Sequence, residues 1–531
     1  MSAPVSHGPF QMPMFRTFVP RSLQPWIYVL FAFSFQLTGG IYIGSLNEMI
    51  GGMSLMREDI TMCMYVNLLG MAMYFPLLFR LKFRFTNKTL LMAASLTIAF
   101  CNMAAVYVHS IPLLWVLCFF AGCAKIQGTF ECMSNIQLWM SPRRDFRVFF
   151  PILNTIILCS IQLSDLLTTY LCFYFNWTYM HFWIVGQMLV VALSVFLLTH
   201  HFRIIRKFPL YGIDWLGALL WSAFFFELAY IFNYGDWYSY FDSPVIQGVA
   251  LVAAITLFGC IHRMFHIRHP YYEPKMWSYR YLVPVLVLIT LVEVFLATEH
   301  VLEEVFYEEG MKYETIVSSQ LDWFTMIGIV CGGAFALLWM KVLQFNYYRL
   351  IAIALGALSI YLIGYYLTLS TDINIEKLYA ISAFRGFAYV VLSATFMQCL
   401  EELMTFQHFF QALSVFNVLH MLMGGVIGCA IYAKGLGYFM ADNISRYSTY
   451  INHTTFSKSP FDLGYFMEEF IEQNLMMSCK QIYGLVAYAC LALLFGVLLW
   501  DMPKVRTTLK KMPSWRSVGN QIRNTFTDLK K

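Results

Sequence analysis

The sequence predicts an all-α protein embedded in a membrane, and three observations support this fold class. Of the 531 residues, 59% are hydrophobic and only 12% are charged, and the mean hydropathy is +0.62. This composition excludes a soluble multidomain protein. Apolar runs of about 20 residues, the length that crosses a bilayer, recur along the whole chain. The third observation is an internal repeat that relates the two halves.

Fourteen apolar runs are long enough to span a bilayer. They lie at 26–50, 59–79, 89–108, 112–139, 148–175, 180–199, 213–233, 244–261, 281–301, 316–340, 347–368, 375–400, 407–433 and 481–500. The first run follows a polar, basic segment and has no small-residue cleavage site behind it. We therefore interpret it as a retained span and not as a signal peptide.

The basic residues predict the orientation of these spans. Short cytoplasmic loops retain Lys and Arg, and with both termini inside, 26 of the 35 basic residues fall on the cytoplasmic side. We expect an integral protein of a bacterial inner membrane with both termini in the cytoplasm. The net charge of +5 then reflects this topology and the lipid-facing basic tail, not binding to nucleic acid.

The repeat has an offset of 260 residues, which places residues 77–79 on 337–339 and Lys125 on Arg385. Matches between Leu or Ala residues arise by chance in this composition. A match between two cations that both lie inside apolar runs is not explained by composition. Repeats of membrane spans with charges at matching depth are typical of secondary transporters.

The runs 213–233 and 244–261 lie between two sets of six and explain why the offset exceeds the length of a six-span unit. The predicted organisation has five parts: a cytoplasmic N-terminus 1–25, a six-helix bundle 26–200, two inserted helices 213–262, a second six-helix bundle 276–501 with a long outer loop 434–480, and a basic cytoplasmic tail 502–531.

Several local motifs resemble the major facilitator superfamily. Residues 84–91 resemble the tail of its signature loop between spans 2 and 3, and Gln127-Gly128 resembles the Gln-Gly of an Arg-x-x-Gln-Gly pattern in span 4. Asp214-Trp215-x-Gly217 is similar to the start of the first inserted span in the fourteen-span drug:proton antiporter branch, the EmrB/QacA type. The resemblance implies two pseudo-symmetric six-helix bundles plus two inserted helices.

The same resemblance implies proton-coupled export of hydrophobic or amphiphilic compounds by alternating access. The chain departs from the branch at Thr38, where an Asp is usual, and at Ala124, which takes the place of an Arg. The Gly-Pro-x-x-Gly-Gly motif of span 5 is also absent near residues 164–169. Because that motif is associated with export, the alternative is a transporter for a polar metabolite or a lipid precursor.

Charged residues inside the spans are the candidate functional residues. A charge at mid-bilayer costs about 2.5–3.5 kcal/mol, so such a side chain normally faces the bundle interior. We expect Asp165, Glu131 and Glu293 to carry protons, because an acid in an apolar cavity can exchange one near neutral pH. The alternative for Asp165 is a satisfied interhelical hydrogen bond. Glu299 and Glu303, nearer the outer mouth, are expected to form a solvated acidic rim.

Polar residues at helical spacing predict the lining of a substrate cavity. One face of span 4 carries Gln127, Glu131, Ser134 and Asn135 at i, i+4, i+7 and i+8. In span 13, Asn417 and His420 share a face. His420 would titrate at physiological pH, unless it is a hydrogen-bonded packing residue.

The remaining cations are assigned to gating or ion pairing. Lys125 lies on another face of span 4 beside Gly122, where small residues permit close helix contact, so it would act as an ion-pair partner or contact the substrate. Its counterpart Arg385 is expected to act in the same way. Arg84 and Lys88 are assigned to gating or ion pairing because residues 84–91 resemble the signature loop of the superfamily.

An enzymatic function is not expected. The cluster His262, His266 and His269 invites comparison with the histidine boxes of di-iron membrane enzymes, but a basic cytoplasmic loop explains it better. Neither a Walker loop nor a Gly-x-Ser-x-Gly motif is present. We predict no metal and no cofactor. The expected partners are a small-molecule substrate, protons, the bilayer and, from the long outer loop, a periplasmic adaptor with an outer-membrane channel.

Overall fold

The structure is a computed structural model that describes residues 14–44, 46–140, 145–202, 212–343, 346–370, 373–449 and 463–509. Within these ranges the chain is helical, and the β-type pairing consists of an isolated bridge between Phe15 and Thr199. Beside this bridge, the backbone N–H of Arg16 donates to the carbonyl of Leu198 at 2.9 Å. The N-terminal segment is therefore held against the end of the sixth span.

Thirteen described helices are long and apolar enough to cross a membrane, which confirms the predicted fold class. They are α2 (Arg57–Arg84), α3 (Asn87–Tyr107), α4 (Ile111–Met140), α5 (Phe146–Tyr174), α6 (Trp177–Leu198), α7 (Trp215–Tyr234), α8 (Pro244–His266), α9 (Leu282–Gly310), α10 (Thr315–Leu343), α11 (Tyr347–Thr368), α12 (Glu376–Leu403), α13 (His408–Ser448) and α14 (Leu463–Leu509). The first predicted span is present but interrupted, and it supplies α1.

The interruption divides α1 into Gln24–Gln36, a 3-10 turn at Leu37–Gly39, and the short helices Ile41–Gly44 and Leu46–Met53. Close packing against α5 explains it. The hydroxyl of Ser164 donates to the carbonyl of Leu37 at 2.7 Å and accepts from the N–H of Gly40 at 2.9 Å. A Cβ atom on Gly40 would lie 2.7 Å from that hydroxyl, so only glycine fits.

Wider π-helical turns lie within or at the end of three helices of the second half. They lie at Glu299–Glu303 and Phe306–Gly310 in α9, Leu338–Leu343 in α10 and Val418–Met423 in α13. Such turns occur frequently at functional sites.

The helices form two bundles in which the same pairings recur. In the first bundle α2 packs on α4 and α3 packs on α6, and in the second bundle α10 packs on α12 and α11 packs on α14. The bundles meet where α5 contacts α10 and where α2 contacts α13. The inserted helices α7 and α8 pack on each other, and α7 also lies against α2.

Reciprocal glycine contacts join the closest helix pair in each bundle. A Cβ atom on Gly122 of α4 would overlap the backbone carbonyl of Asn67 in α2, and Gly70 of α2 meets α4 in the same way. In the second bundle, Gly386 of α12 and Gly328 of α10 make the equivalent backbone contacts. Small residues permit such close approach between membrane helices.

The segment predicted as a long outer loop, 434–480, is mostly helical. Helix α13 continues to Ser448 and α14 begins at Leu463. The polar residues that suggested a loop instead bond the two helices, since the amide of Asn443 donates to Ser478 at 3.0 Å and to Gln481 at 3.1 Å. Residues 450–462 of the predicted loop, 1–13 of the N-terminus and 510–531 of the tail lie outside the described residues.

We predict that Gly122→Ala and Gly386→Ala each destabilise the protein by about 1–3 kcal/mol, because the added methyl group must push two helix backbones apart. Thermal unfolding of the purified chain in detergent measures the loss. Gly248→Ala in α8 is the matched control, because nothing lies within 4 Å of a Cβ atom there. Equal stability of all three variants would contradict the glycine contact.

Candidate functional site

The two cations related by the repeat occupy equivalent places in the structure. Lys125 lies in α4 and Arg385 in α12, and each residue is 3% exposed. Each faces the point at which the first helix of its bundle departs from regular α geometry: Lys125 meets Gly39 at the interruption of α1, and Arg385 meets Glu299 in the π-helical turn of α9. The repeat thus places a buried cation beside an irregular helix in both halves.

The 260-residue offset also holds within these irregular helices. In α1 the hydroxyl of Thr38 donates to the carbonyl of Phe35 at 2.8 Å, and in α9 the hydroxyl of Thr298 donates to the carbonyl of Phe295 at 3.0 Å. The next position is Gly39 in α1 and Glu299 in α9. The first half therefore has a glycine where the second half has the acid that pairs with Arg385.

Arg385 is held by two acids of α9. Its guanidinium lies 2.9 Å from Glu299 Oε1 and 3.2 Å from Glu303 Oε2, and it also donates to Thr325 of α10 at 3.0 Å. The expectation that Glu303 belongs to a solvated rim is wrong, because this residue is 3% exposed. The pair with Arg385 offsets the cost of burying its charge.

Three tyrosines complete the hydrogen bonds of Glu303. Tyr361 donates to Oε1, while Tyr365 and Tyr307 donate to Oε2 at 2.9 and 3.4 Å. Sequence reasoning missed this cluster. Its signal was the i, i+4 spacing of Tyr361 and Tyr365, which places both hydroxyls on one face of α11.

Lys125 has no such partners. Its ammonium makes no hydrogen bond or ion pair with any residue that the structure describes, although the side chain is almost fully buried. The expected pairing of Lys125 with another helix is therefore not observed within the described ranges.

Asp165 reaches the same interior from α5. It is partly buried and lies against Gly44 of α1, and its Oδ1 has no hydrogen-bond partner among the described residues. Its charge interacts with those of Asp322 in α10 and of Arg385 and Glu299. Asp322 was not among the residues singled out from the sequence, because it stands in the first turn of the regular segment Gln320–Leu337 of α10, where an acid is ordinary.

The structure brings Glu293 and His420 together. His420 Nδ1 lies 2.5 Å from Glu293 Oε1, which links α13 to α9, and the residues are 1% and 7% exposed. The rings of Tyr389 and Phe416 lie 5.5 and 5.2 Å from the imidazole. Asn417, predicted beside His420, donates to the carbonyl of Leu413 in its own helix at 2.7 Å.

Glu131 is the centre of a separate network near the turn between α2 and α3. It accepts from Gln127 at 3.2 Å and from Asn87 at 2.8 Å, and it pairs with Lys82 at 3.5 Å. The two other members of the predicted polar face join this network: Lys82 donates to Ser134, and Asn135 donates to the backbone carbonyl of Glu131 at 2.8 Å. All four predicted residues of this face are thus engaged within the first bundle.

Lys88 and Arg84, which are predicted to act in gating or ion pairing, have different surroundings. Lys88 is buried and donates to the carbonyls of Phe196 and Thr199 at 2.8 and 3.0 Å, so it caps the C-terminal end of α6. Arg84 forms no ion pair within the described part of the chain.

The bundles contact each other at both ends of the molecule. On the side that carries Gln24 and Leu509, called the termini side, the rings of Phe79 and Phe410 lie 4.1 Å apart. Two ion pairs lie on the same side: Arg147–Glu402 at 2.9 Å and Lys341–Asp145 at 2.6 Å.

On the opposite side, called the far side, Arg57 of α2 pairs with Glu304 of α9 at 2.5 Å. Beside this pair, Asn47 donates to Glu308 at 3.0 Å. The interior charges therefore lie between two sets of contacts that join the bundles.

The histidines of the possible metal cluster do not form a ligand set in the structure. The rings of His262 and His266 stack at 4.0 Å on an exposed surface. Among the residues that the structure describes, no group of three or more His, Cys, Asp or Glu side chains could hold a metal ion.

No protein-family model matches the sequence, and no curated protein matches it either. Solved structures do match. A mutant of the peptide transporter POT in complex with alafosfalin superimposes with a TM-score of 0.57 at 14% identity and covers 94% of this chain and 99% of its own. The chain has the major facilitator fold.

Two further structures support this assignment. A mutant of the nucleoside transporter NupG matches with a TM-score of 0.53 at 10% identity, over 88% of this chain and 98% of its own. The human organic anion transporter MFSD10 matches with a TM-score of 0.52 at 10% identity, over 90% of this chain and 100% of its own. With these identities the likeness concerns the fold.

We predict that Arg385→Met destabilises the protein by about 3–5 kcal/mol, because Glu303 would remain buried without its counterion. Thermal unfolding measures this loss, and adding Glu303→Gln should restore part of the stability. The matched control is Arg57→Met, which breaks an ion pair whose arginine side chain is 46% exposed and should cost about 0–1 kcal/mol. A loss in Arg57→Met equal to that in Arg385→Met would show that burial of the pair is unimportant.

Proposed function

We propose that this chain is a proton-coupled secondary transporter that moves a small polar molecule by alternating access. The observation that carries the proposal is a set of ionisable side chains in the interior, in which Asp165 of the first bundle interacts with Asp322 and Arg385 of the second, while the bundles contact each other at both ends. Lys125, Asp165, Asp322 and Arg385 belong to this set. Transporters built from repeats place their binding sites at this position, where discontinuous helices meet.

Alternating access requires that the two sets of end contacts form and break in turn. The Phe79–Phe410 contact and the ion pair Arg147–Glu402 must separate to open the termini side. The pair Arg57–Glu304 must separate to open the far side. Exposed ion pairs cost little to break, so they suit a contact that opens in each cycle.

Proton coupling is supported by the charge repulsion between Asp165 of the first bundle and Asp322 of the second. These two carboxylates lie on α5 and α10, the helices at which the bundles meet. A proton bound to either carboxylate removes their mutual repulsion and allows α5 and α10 to approach more closely. Protonation would thereby favour one arrangement of the bundles over the other.

Of the three acids expected to carry protons, Asp165 is the strongest candidate, because Oδ1 has no partner. Glu293 is the second, because it is buried and its hydrogen bond to His420 links α9 to α13. Glu131 is bonded to three side chains of its own bundle, which favours a structural role.

The interior charges favour the alternative of a polar metabolite over a hydrophobic drug. A neutral apolar compound would leave Lys125 and Asp165 without partners, which is costly in a buried site. The similar structures named above include transporters of nucleosides, peptides and organic anions. The bacterial inner membrane, cytoplasmic termini, a periplasmic adaptor and an outer-membrane channel remain predictions from the sequence.

We predict that Asp165→Asn abolishes substrate-driven proton movement, because the amide cannot exchange a proton. The full chain is reconstituted in liposomes that contain a pH-sensitive dye, and nucleosides, dipeptides and monocarboxylates are added in turn. The matched control is Glu227→Gln in the inserted pair, where the carboxylate accepts a hydrogen bond from Thr256 at 2.6 Å away from the bundle interface. Proton movement that is unchanged in Asp165→Asn, or absent for every compound in the parent, contradicts the proposal.

We predict that Glu131→Gln lowers stability by about 1.5–3 kcal/mol, because a hydrogen-bonded charge beside Lys82 is lost. Proton movement per transported molecule should stay at the parent value. Unfolding and dye measurements on the same preparation separate the two effects. A normal unfolding temperature with lost coupling would assign the proton to Glu131 instead of Asp165.

A further inference from the structure

We propose that Lys125 and the interruption of α1 form a binding site for a carboxylate group of the transported molecule. This inference rests on the proposed transport function and adds the chemical class of the substrate. Four observations on Lys125 and its surroundings support it.

The first observation is the missing counterion. Lys125 is 3% exposed and makes no hydrogen bond or ion pair with a described residue. A buried ammonium without compensation is strongly unfavourable, so it is normally paired. An anion supplied from outside the chain would provide the missing partner.

The second observation is the asymmetry of the repeat. In the second half Glu299 lies 2.9 Å from Arg385, whereas the equivalent position in the first half is Gly39. Lys125 has kept the charge of its counterpart, and the chain has no carboxylate at the position that would neutralise it. The position of the Glu299 carboxylate thus marks where a ligand carboxylate would bind beside Lys125.

The third observation is the local space. A Cβ atom on Gly39 would overlap Lys125 Nζ, so the ammonium lies in the volume that a side chain at position 39 would otherwise fill. The glycine is the last residue of the 3-10 turn that interrupts the regular α geometry of α1. Lys125 therefore points into the interruption of the helix and not into a seam between two regular helices.

The fourth observation is a neighbouring acceptor without a partner. Gln36 is 1% exposed, and its Nε2 donates to Thr129 at 2.9 Å, while Thr129 donates to the backbone carbonyl of Lys125. The Oε1 atom of Gln36 has no hydrogen-bond partner among the described residues. A ligand with a donor group near its carboxylate could satisfy both Lys125 and Gln36.

The competing explanation is that Lys125 is a neutral packing residue that needs no counterion. The two explanations differ in what an acid at position 39 does. If Lys125 is charged and unpaired, Gly39→Glu supplies the internal partner that the second half already has. If Lys125 is neutral, Gly39→Glu adds a buried charge and destabilises the protein.

The test uses the purified full chain in lipid nanodiscs and a chloride-free buffer, with thermal unfolding as the measurement. Without ligand, Gly39→Glu should unfold at a higher temperature than the matched variant Gly39→Gln, which has nearly the same size. The difference should vanish when Lys125→Met is added. A Gly39→Glu variant that is no more stable than Gly39→Gln overturns the proposal.

The ligand arm compares acetate, benzoate and 2-naphthoate with their neutral amides. At least one carboxylate should raise the unfolding temperature of the parent while its amide does not, and Lys125→Met should weaken its binding by about tenfold to a hundredfold. Gly39→Glu should remove the response. A response that persists in Lys125→Met, no response to any of the three carboxylates, or an equal response to chloride overturns the assignment of a carboxylate site.

These measurements require no transport. Carboxylate binding that depends on Lys125 would stand even if Asp165→Asn left proton movement unchanged, which would overturn the proton coupling alone. Proton-coupled transport without Lys125-dependent binding would overturn the carboxylate site and leave the proposed function intact.

Discussion

Neutralisation of buried charge is the constraint on which the interior of this protein depends. Bilayer and close-packed helices provide no water, so each ion must find its partner within the bundle or from a ligand. Arg385 meets this requirement with Glu299 and Glu303, and three tyrosine hydroxyls satisfy the remaining lone pairs of Glu303. The interruption of α1 places the backbone of Gly39 beside Lys125 of α4. The π-helical turn of α9 places Glu299 and Glu303 beside Arg385 of α12.

The two bundles share their helix pairings but differ in the charged residues beside their buried cations. Thr38 and Thr298 make the same backbone hydrogen bond, so the surroundings of positions 39 and 299 correspond closely. With glutamate at position 299 and glycine at position 39, Arg385 has two acidic partners, whereas Lys125 has no ion-pair partner among the described residues. In the second bundle the cation therefore stabilises the fold through its ion pairs. In the first bundle the corresponding cation is the one that we propose to bind a ligand.

The all-α membrane fold and thirteen of the fourteen predicted spans could be predicted from the sequence, because the length of an apolar run reports directly on the thickness of the bilayer. The helical structure of the segment 434–480 could not be predicted, because its polar residues have the composition of a loop. In the structure, Asn443 and Ser478 instead form a hydrogen bond between two helices. The burial of Glu303 could not be predicted from the sequence either. Its partners Arg385 and Tyr361 come from α12 and α11, and no local pattern reveals contacts between distant helices.

The reciprocal glycine contacts have a mechanical consequence. Backbones in direct contact leave no layer of side chains that could rearrange between them, and close-packed contacts transmit strain, so a displacement of α4 is passed to α2, and one of α12 to α10. Helix α2 carries Arg57 near one membrane surface and Phe79 near the other. A movement of α4, which carries Lys125, would therefore be shared by α2. Such a movement would displace Arg57 and Phe79 together, so the contacts between the bundles at the two ends would change in the same step.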